Sequence, residues 1–217
     1  MKRKKQKSFY QIERVLGPKR LRLARSVDLV IRRIIPWLKA AIKQESRNDE
    51  FILRTKFRKS GEVEKFIRGF KKSGPRIRIL TKPVKINKGS GAVFGVYIGK
   101  NDEIHIPINV KQSGMYYPVL FHELMHGTAY KGRVYRDCAA YSTKKRIIVE
   151  ELTAEIGSLV LCQYFNVLTR RILESGSLSI FIHLSQLKND KRYKMKSLFD
   201  VPDIGYVKEA VEYLVLK

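Results

Sequence analysis

Residues 119–130 read VLFHELMHGTAY, and the fold turns on whether His122, Glu123 and His126 are a metal site or an ordinary helix with that spelling. Four residues, one helical turn, separate the histidines, so both imidazoles leave the same face and can reach one cation, with Glu123 beside them. This HExxH pattern is the first half of a zinc peptidase site. At the chain's own usage of His and Glu it arises by chance in roughly one sequence in a few hundred, so the neighbouring segments have to decide.

Two histidines do not hold a catalytic zinc, which usually takes a third protein ligand and an open position for water. Residues 149–165, VEELTAEIGSLVLCQYF, read as an amphipathic helix in which Glu150, Glu151 and Glu155 stand among apolar residues. Carboxylates in such a surround are unfavourable unless paired or bound to metal. Glu151 and Glu155 are one turn apart, so one can ligate the metal while the other hydrogen-bonds the outer nitrogen of a ligating histidine. Glu150 reads as facing solvent opposite a lysine.

Outward from these two segments, the texture changes with position. Phe9 to Gln44 carries apolar residues at helical spacing with Arg and Lys between them, and Pro36 is expected to kink or divide the run. Its stripe fits a core face and a surface lying on a polyanion equally well. Residues 51–72 read as a short helix, and KKSGP at 71–75 as a turn and the boundary between a basic, mainly helical extension, 1–75, and a second domain, 76–217. Arg76 to Ile86 alternates, NKGSG at 87–91 breaks it, and AVFGVYIG followed by EIHIPINV reads as strand, turn and strand. The remainder is helical in pattern: 116–130, 145–166, 167–187 and 204–216. The expected class is α+β, with a small sheet preceding the histidine helix and offering an edge strand against which an extended peptide can lie. His105, between isoleucines, reads as structural, and Tyr116 and Tyr117 as packing at a helix start.

The 217 residues are enough for one good core, and 44% hydrophobic content is ordinary for a globular protein. The net charge of +25 is not ordinary. Residues 1–80 carry 25 basic and 7 acidic side chains, most of the excess, so nucleic acid is the expected partner of the basic N-terminal region. Cys138 and Cys162 have no CxxC spacing and read as small buried residues in a reduced cytoplasm. No run of eighteen apolar residues occurs, and no signal-type apolar segment follows the basic start MKRKKQK, which points to a chain that is neither exported nor membrane-spanning.

The combination VYIGKNDEIHIPINVKQSGMYYPVLFHELMHGTAYKGR, VEELTAEIGSLVL, LSQLKNDKRYKMKSLF and VKEAVEYL resembles the metallopeptidase domain of ArdC-type antirestriction proteins and phage polyvalent proteins, from about Val96 onward. The resemblance implies a zincin-like fold, Zn2+ (or another divalent transition metal such as Mn2+) on His122 and His126, and Glu123 as catalytic base. It implies Glu151 as third ligand with Glu155 hydrogen-bonded behind the metal shell, and Glu150 as the alternative ligand. It further implies a protein or peptide substrate and, for a phage- or plasmid-encoded protein, the host cytoplasm. The single-stranded DNA-binding domain typical of ArdC is not recognisable in residues 1–85, so nucleic-acid binding rests here on charge. For the oxyanion of peptide hydrolysis, Tyr135, Tyr141 and His183 are candidate donors by residue type.

Overall fold

The computed structural model describes residues 18–41, 56–70, 74–82, 94–130, 133–134, 144–188 and 204–216. The basic start, the Gly-rich break at 87–91, Tyr135, Cys138 and Tyr141 lie outside the described residues.

Helix α1 spans Pro18–Ala41 and α2 Gly61–Phe70; strands β1, β2 and β3 are Arg76–Leu80, Val96–Ile98 and Glu103–Pro107. The short α3, Ile108–Lys111, leads into α4, Tyr116–Gly127, and then come α5, Lys144–Tyr164, α6, Arg170–Lys188, and α7, Ile204–Leu216. The architecture is α+β, as the sequence pattern predicts.

In the sheet β3 is central, parallel to β1 and antiparallel to β2. Ile104 and Ile106 are fully buried beneath it. The strand expected over EIHIPINV stops at Pro107, where proline lacks the N–H a continuing ladder needs and its φ of −62° leads into α3. On the other face Glu103 accepts from Arg78 Nε at 2.7 Å and lies 3.0 Å from His105 Nε2, so His105 is tied into the sheet.

Pro36 does not divide α1, which runs unbroken from Pro18. The remainder of the periodic run, residues 9–17 and 42–44, lies outside the described residues. The apolar stripe of α1 is a core face: Leu23, Val30 and Ile34 are buried, and the helix packs on α5, α6 and α7. Arg22 bridges to Glu62 of α2 at 3.0 Å and lies 4.7 Å from the centre of the Tyr164 ring. Val63, Ile67 and Phe70 of α2 join the same core as Leu120, Phe121 and Leu161, so apolar side chains from both sides of KKSGP form one cluster.

Helix α5 ends in a Schellman turn. Asn166, at φ 55°, donates to the Gln163 carbonyl at 3.1 Å, and the next residue, Val167, donates to Cys162 at 2.8 Å. That cap turns the chain back so that α6 packs along α5. Gly176 permits the close approach, because a Cβ there would stand 2.9 Å from Leu159 Cδ2. Cys162 is wholly buried, and burial pushes its thiol pKa up.

Candidate metal centre

Helix α4 is apolar almost all round, and Leu120, Phe121, Leu124 and Met125 are buried. His122 and His126 fall on the flank that faces α5. The two helices pack closely here because Gly157 has no side chain to meet Met125, whose Cε would lie 2.2 Å from a Cβ. This contact brings the carboxylates of α5 over the imidazoles of α4.

The Nε2 atoms of His122 and His126 stand 3.1 Å apart. Glu151 Oε2 is 3.4 Å from the first, and Glu151 Oε1 is 3.7 Å from the second. Ligand atoms around one tetrahedral zinc, about 2.0–2.2 Å from the ion, stand roughly 3.3–3.5 Å from each other. His122, His126 and Glu151 are therefore arranged to hold one ion.

The outer nitrogens decide the chemistry of this trio. His122 Nδ1 lies 2.9 Å from Glu155 Oε2, and His126 Nδ1 lies 3.1 Å from Glu150 Oε1. An ionised carboxylate can only accept, so each Nδ1 carries the hydrogen and each Nε2 of a neutral ring presents a lone pair. Two lone pairs and a carboxylate then converge with no donor among them, an arrangement that a cation satisfies. The electrostatics show how strongly this carboxylate cluster favours positive charge, whether a proton on His122 or a metal ion in its place. Burial depresses the His122 pKa, but hydrogen bonds to Glu151 and Glu155 outweigh it and raise it well above the usual histidine value. Burial works to raise Glu151, yet the His122 hydrogen bond and the charges of His126, His122 and His183 lower it to about 2.

Glu150 corrects the sequence reading. It is not turned to solvent but buried, 8% exposed, against His126. Its neighbour Glu151 is swung about 100° round the helix, so that successive residues can face the two histidines from different sides. An adjacent pair of carboxylates after an apolar-periodic start is the signal that was available; periodicity alone could not show that α4 would cover both.

Glu123 lies with its carboxylate against Gly95 and β2. It is 6% exposed, and burial raises its pKa; the Tyr97 backbone amide hydrogen-bonds it. Gly95 is required here, since a Cβ would stand 2.7 Å from Val119 Cγ1 and 3.0 Å from the Glu123 carboxylate. A cavity of about 210 Å³ opens beside His122, Glu123 and Glu155, with Ser158, Ser175 and Ser179 opposite. His183, on α6, is near enough for its charge to act on Glu151.

One clamp beside the site carried no sequence signal. Arg133, beyond the end of α4, donates to both Asp102 oxygens at 2.9 and 2.6 Å and to the Gly127 carbonyl at 2.7 Å. Asp102 also accepts from the Tyr97 hydroxyl at 2.9 Å. The β2–β3 turn is thereby clamped to the C-terminal end of the histidine helix. At the opposite end, Tyr116 and Tyr117 are buried, and Tyr117 donates to Glu64 at 3.0 Å and accepts from the Ser60 amide at 2.8 Å.

A family model described as zincin-like metallopeptidase matches residues 78–197, more than half of the chain. The chain belongs to the zincin-like metallopeptidase family. Its HExxH helix and glutamate-bearing helix both lie within the matched span. Among solved structures it is similar to the antirestriction ArdC protein from the R388 plasmid, in a metal-free crystal structure, at 21% identity and a TM-score of 0.36. That match covers 61% of this chain, which spans about half (51%) of the ArdC chain. No curated protein matches. Among the described residues, no helix of this zincin-like chain is long and apolar enough to cross a membrane.

Proposed function

We propose that this zincin-like protein is a zinc-dependent peptidase of the antirestriction type, encoded by a mobile element, with His122, His126 and Glu151 as metal ligands. The observation that carries the reading is the convergence of two Nε2 lone pairs and one carboxylate at 3.1–3.7 Å, with both outer nitrogens held by Glu155 and Glu150. The antirestriction assignment rests on the resemblance of the sequence segments around the site.

A zinc ion held by these residues supplies Lewis acidity toward a carbonyl and brings the pKa of a water toward neutrality. Glu123 is the general base: its burial raises its affinity for a proton, and the Tyr97 amide fixes its carboxylate. Having taken a proton from water, it delivers that proton to the leaving amine. Glu155 and Glu150 keep the histidines in one tautomer and orientation. Of the three candidate oxyanion donors, His183 is the one among the described residues, and it is a candidate by residue type.

The test is Glu123→Gln. It should leave about one zinc per chain by elemental analysis and remove hydrolysis of a peptide library, whereas His126→Ala and Glu151→Ala should lose the metal as well. The charge of +25 favours a second reading, a nucleic-acid-binding antirestriction protein whose metal domain is a scaffold. Under that reading Glu123→Gln leaves protection against restriction intact.

A further inference from the structure

A second and larger cavity, about 650 Å³, lies between the extended segment 56–60, the start of α4 and the α5–α6 turn. Its volume is in the range of ligand pockets, roughly 300–1,000 Å³. Met115, Pro118 and Ile172 line both this cleft and the cavity beside Glu123, so only that layer of side chains separates the two. The segment 56–60 is held extended against the α4 approach by the Lys56–Ser113 bridge and by the Phe57 amide, which donates to the Gln112 carbonyl at 3.2 Å.

The cleft has two chemistries. Lys56, Arg58, Lys59 and Arg171 stand on its rim. The lining holds four cations against one acid, Glu62, which Arg22 engages. Between the cations the wall is apolar, with the half-buried Val167 and Leu168 on the turn side.

We infer that this cleft binds an acidic and apolar polypeptide segment, with carboxylates on the rim and aliphatic or aromatic side chains against the wall. Charge complementarity selects an anion, and the wall selects which kind. Nucleic acid bound in such a place stacks its bases on open aromatic faces. Here Tyr117 and Phe165 are buried, and Phe57 packs edge-on against Tyr116 and Tyr117 with centroids 5.3 and 5.0 Å away. The open wall is aliphatic instead, which suits apolar side chains. Where that segment belongs to a substrate, an assignment that rests on the peptidase reading above, the cleft draws proteins with acidic surface segments to Glu123; binding itself does not depend on turnover.

The experiment measures fluorescence anisotropy of a short labelled peptide of glutamate, leucine and phenylalanine on the full chain carrying Glu123→Gln, so that no cleavage intervenes. A peptide with glutamine for glutamate and a single-stranded oligothymidine serve as comparisons. Arg58→Glu with Lys59→Glu, both exposed positions, should weaken the acidic peptide roughly tenfold or more, and added salt should weaken it in the parent protein. Two reversals at Lys19 and Lys208, which give the same net charge outside the cleft, should change it little. Equal binding of the glutamine peptide, or equal loss in the two pairs of reversals, would overturn the inference. So would oligothymidine binding that depends on Arg58 and Lys59 while the acidic peptide does not bind. Peptide binding at the cleft by a protein that hydrolyses nothing would retain the cleft and sink the peptidase reading; hydrolysis without cleft binding would do the reverse.

Discussion

Glu150 Oε1 lies 3.1 Å from His126 Nδ1, as Glu155 Oε2 lies 2.9 Å from His122 Nδ1, so each histidine of the pair has its own carboxylate partner. Both partners come from α5, Glu150 immediately before Glu151 and Glu155 one turn after it. Removing either carboxylate frees one ring to rotate and lowers the basicity of its Nε2. Glu150→Gln and Glu155→Gln should each weaken zinc about 10- to 100-fold without loss of fold. Competition against a chromophoric chelator reads the affinity, and unchanged affinity in Glu150→Gln would return that residue to a purely structural role.

Gly95→Ala separates positioning of the base from metal binding. The added Cβ would meet Val119 at 2.7 Å and the Glu123 carboxylate at 3.0 Å. The strand segment or the Glu123 side chain must shift, at a stability cost of about 1–3 kcal/mol. Zinc stoichiometry should stay at that of the parent while kcat for peptide hydrolysis falls. Loss of zinc together with activity would mean that the disturbance reaches the histidines.

The Arg133–Asp102 clamp is a nearly buried ion pair with an additional bond to the Gly127 carbonyl. Asp102→Asn keeps a residue suited to φ 52° and removes only the charge, leaving the guanidinium 7% exposed without its counter-ion. The expected loss is about 3 kcal/mol, read from the urea midpoint at constant m-value. Arg133→Lys should recover little of it, because an ammonium cannot span both Asp102 oxygens and the carbonyl together. An effect within about 0.5 kcal/mol would show that the clamp is not part of the stable core.

Leu23→Ala tests whether α1 is integral to the domain that carries the site. Leu23 is 2% exposed within the shared core. Truncation should cost about 2–5 kcal/mol and lower a single cooperative unfolding transition. If α1 is an independent extension, the transition reported by the zinc site will not move.

The histidine pair was legible because its geometry is local. His122 and His126 are one turn apart, and helix periodicity alone puts both on one face. Glu151 and Glu155 were legible for a related reason: carboxylates in an apolar helix need partners, and their spacing offers two. Glu150 was misread because periodicity describes one helix, and the face it occupies is buried only after α4 is laid across it. The same limit applies to α1. A basic amphipathic stripe is written in Leu23, Val30 and Ile34, but whether it meets protein or polyanion depends on α5, α6 and α7, which lie far along the chain.

What the sequence determined by itself is therefore the class α+β, the order of small sheet, histidine helix and glutamate helix, and the residue types able to hold a metal. Each depends on interactions within a few residues, where covalent spacing sets the geometry. Tertiary structure decided which carboxylate meets which histidine, that Arg133 clamps the β2–β3 turn to α4, and that Lys56, Arg58, Lys59 and Arg171 surround one cleft. Those relationships join segments 20 to more than 100 residues apart, and only the packing of whole elements fixes such distances.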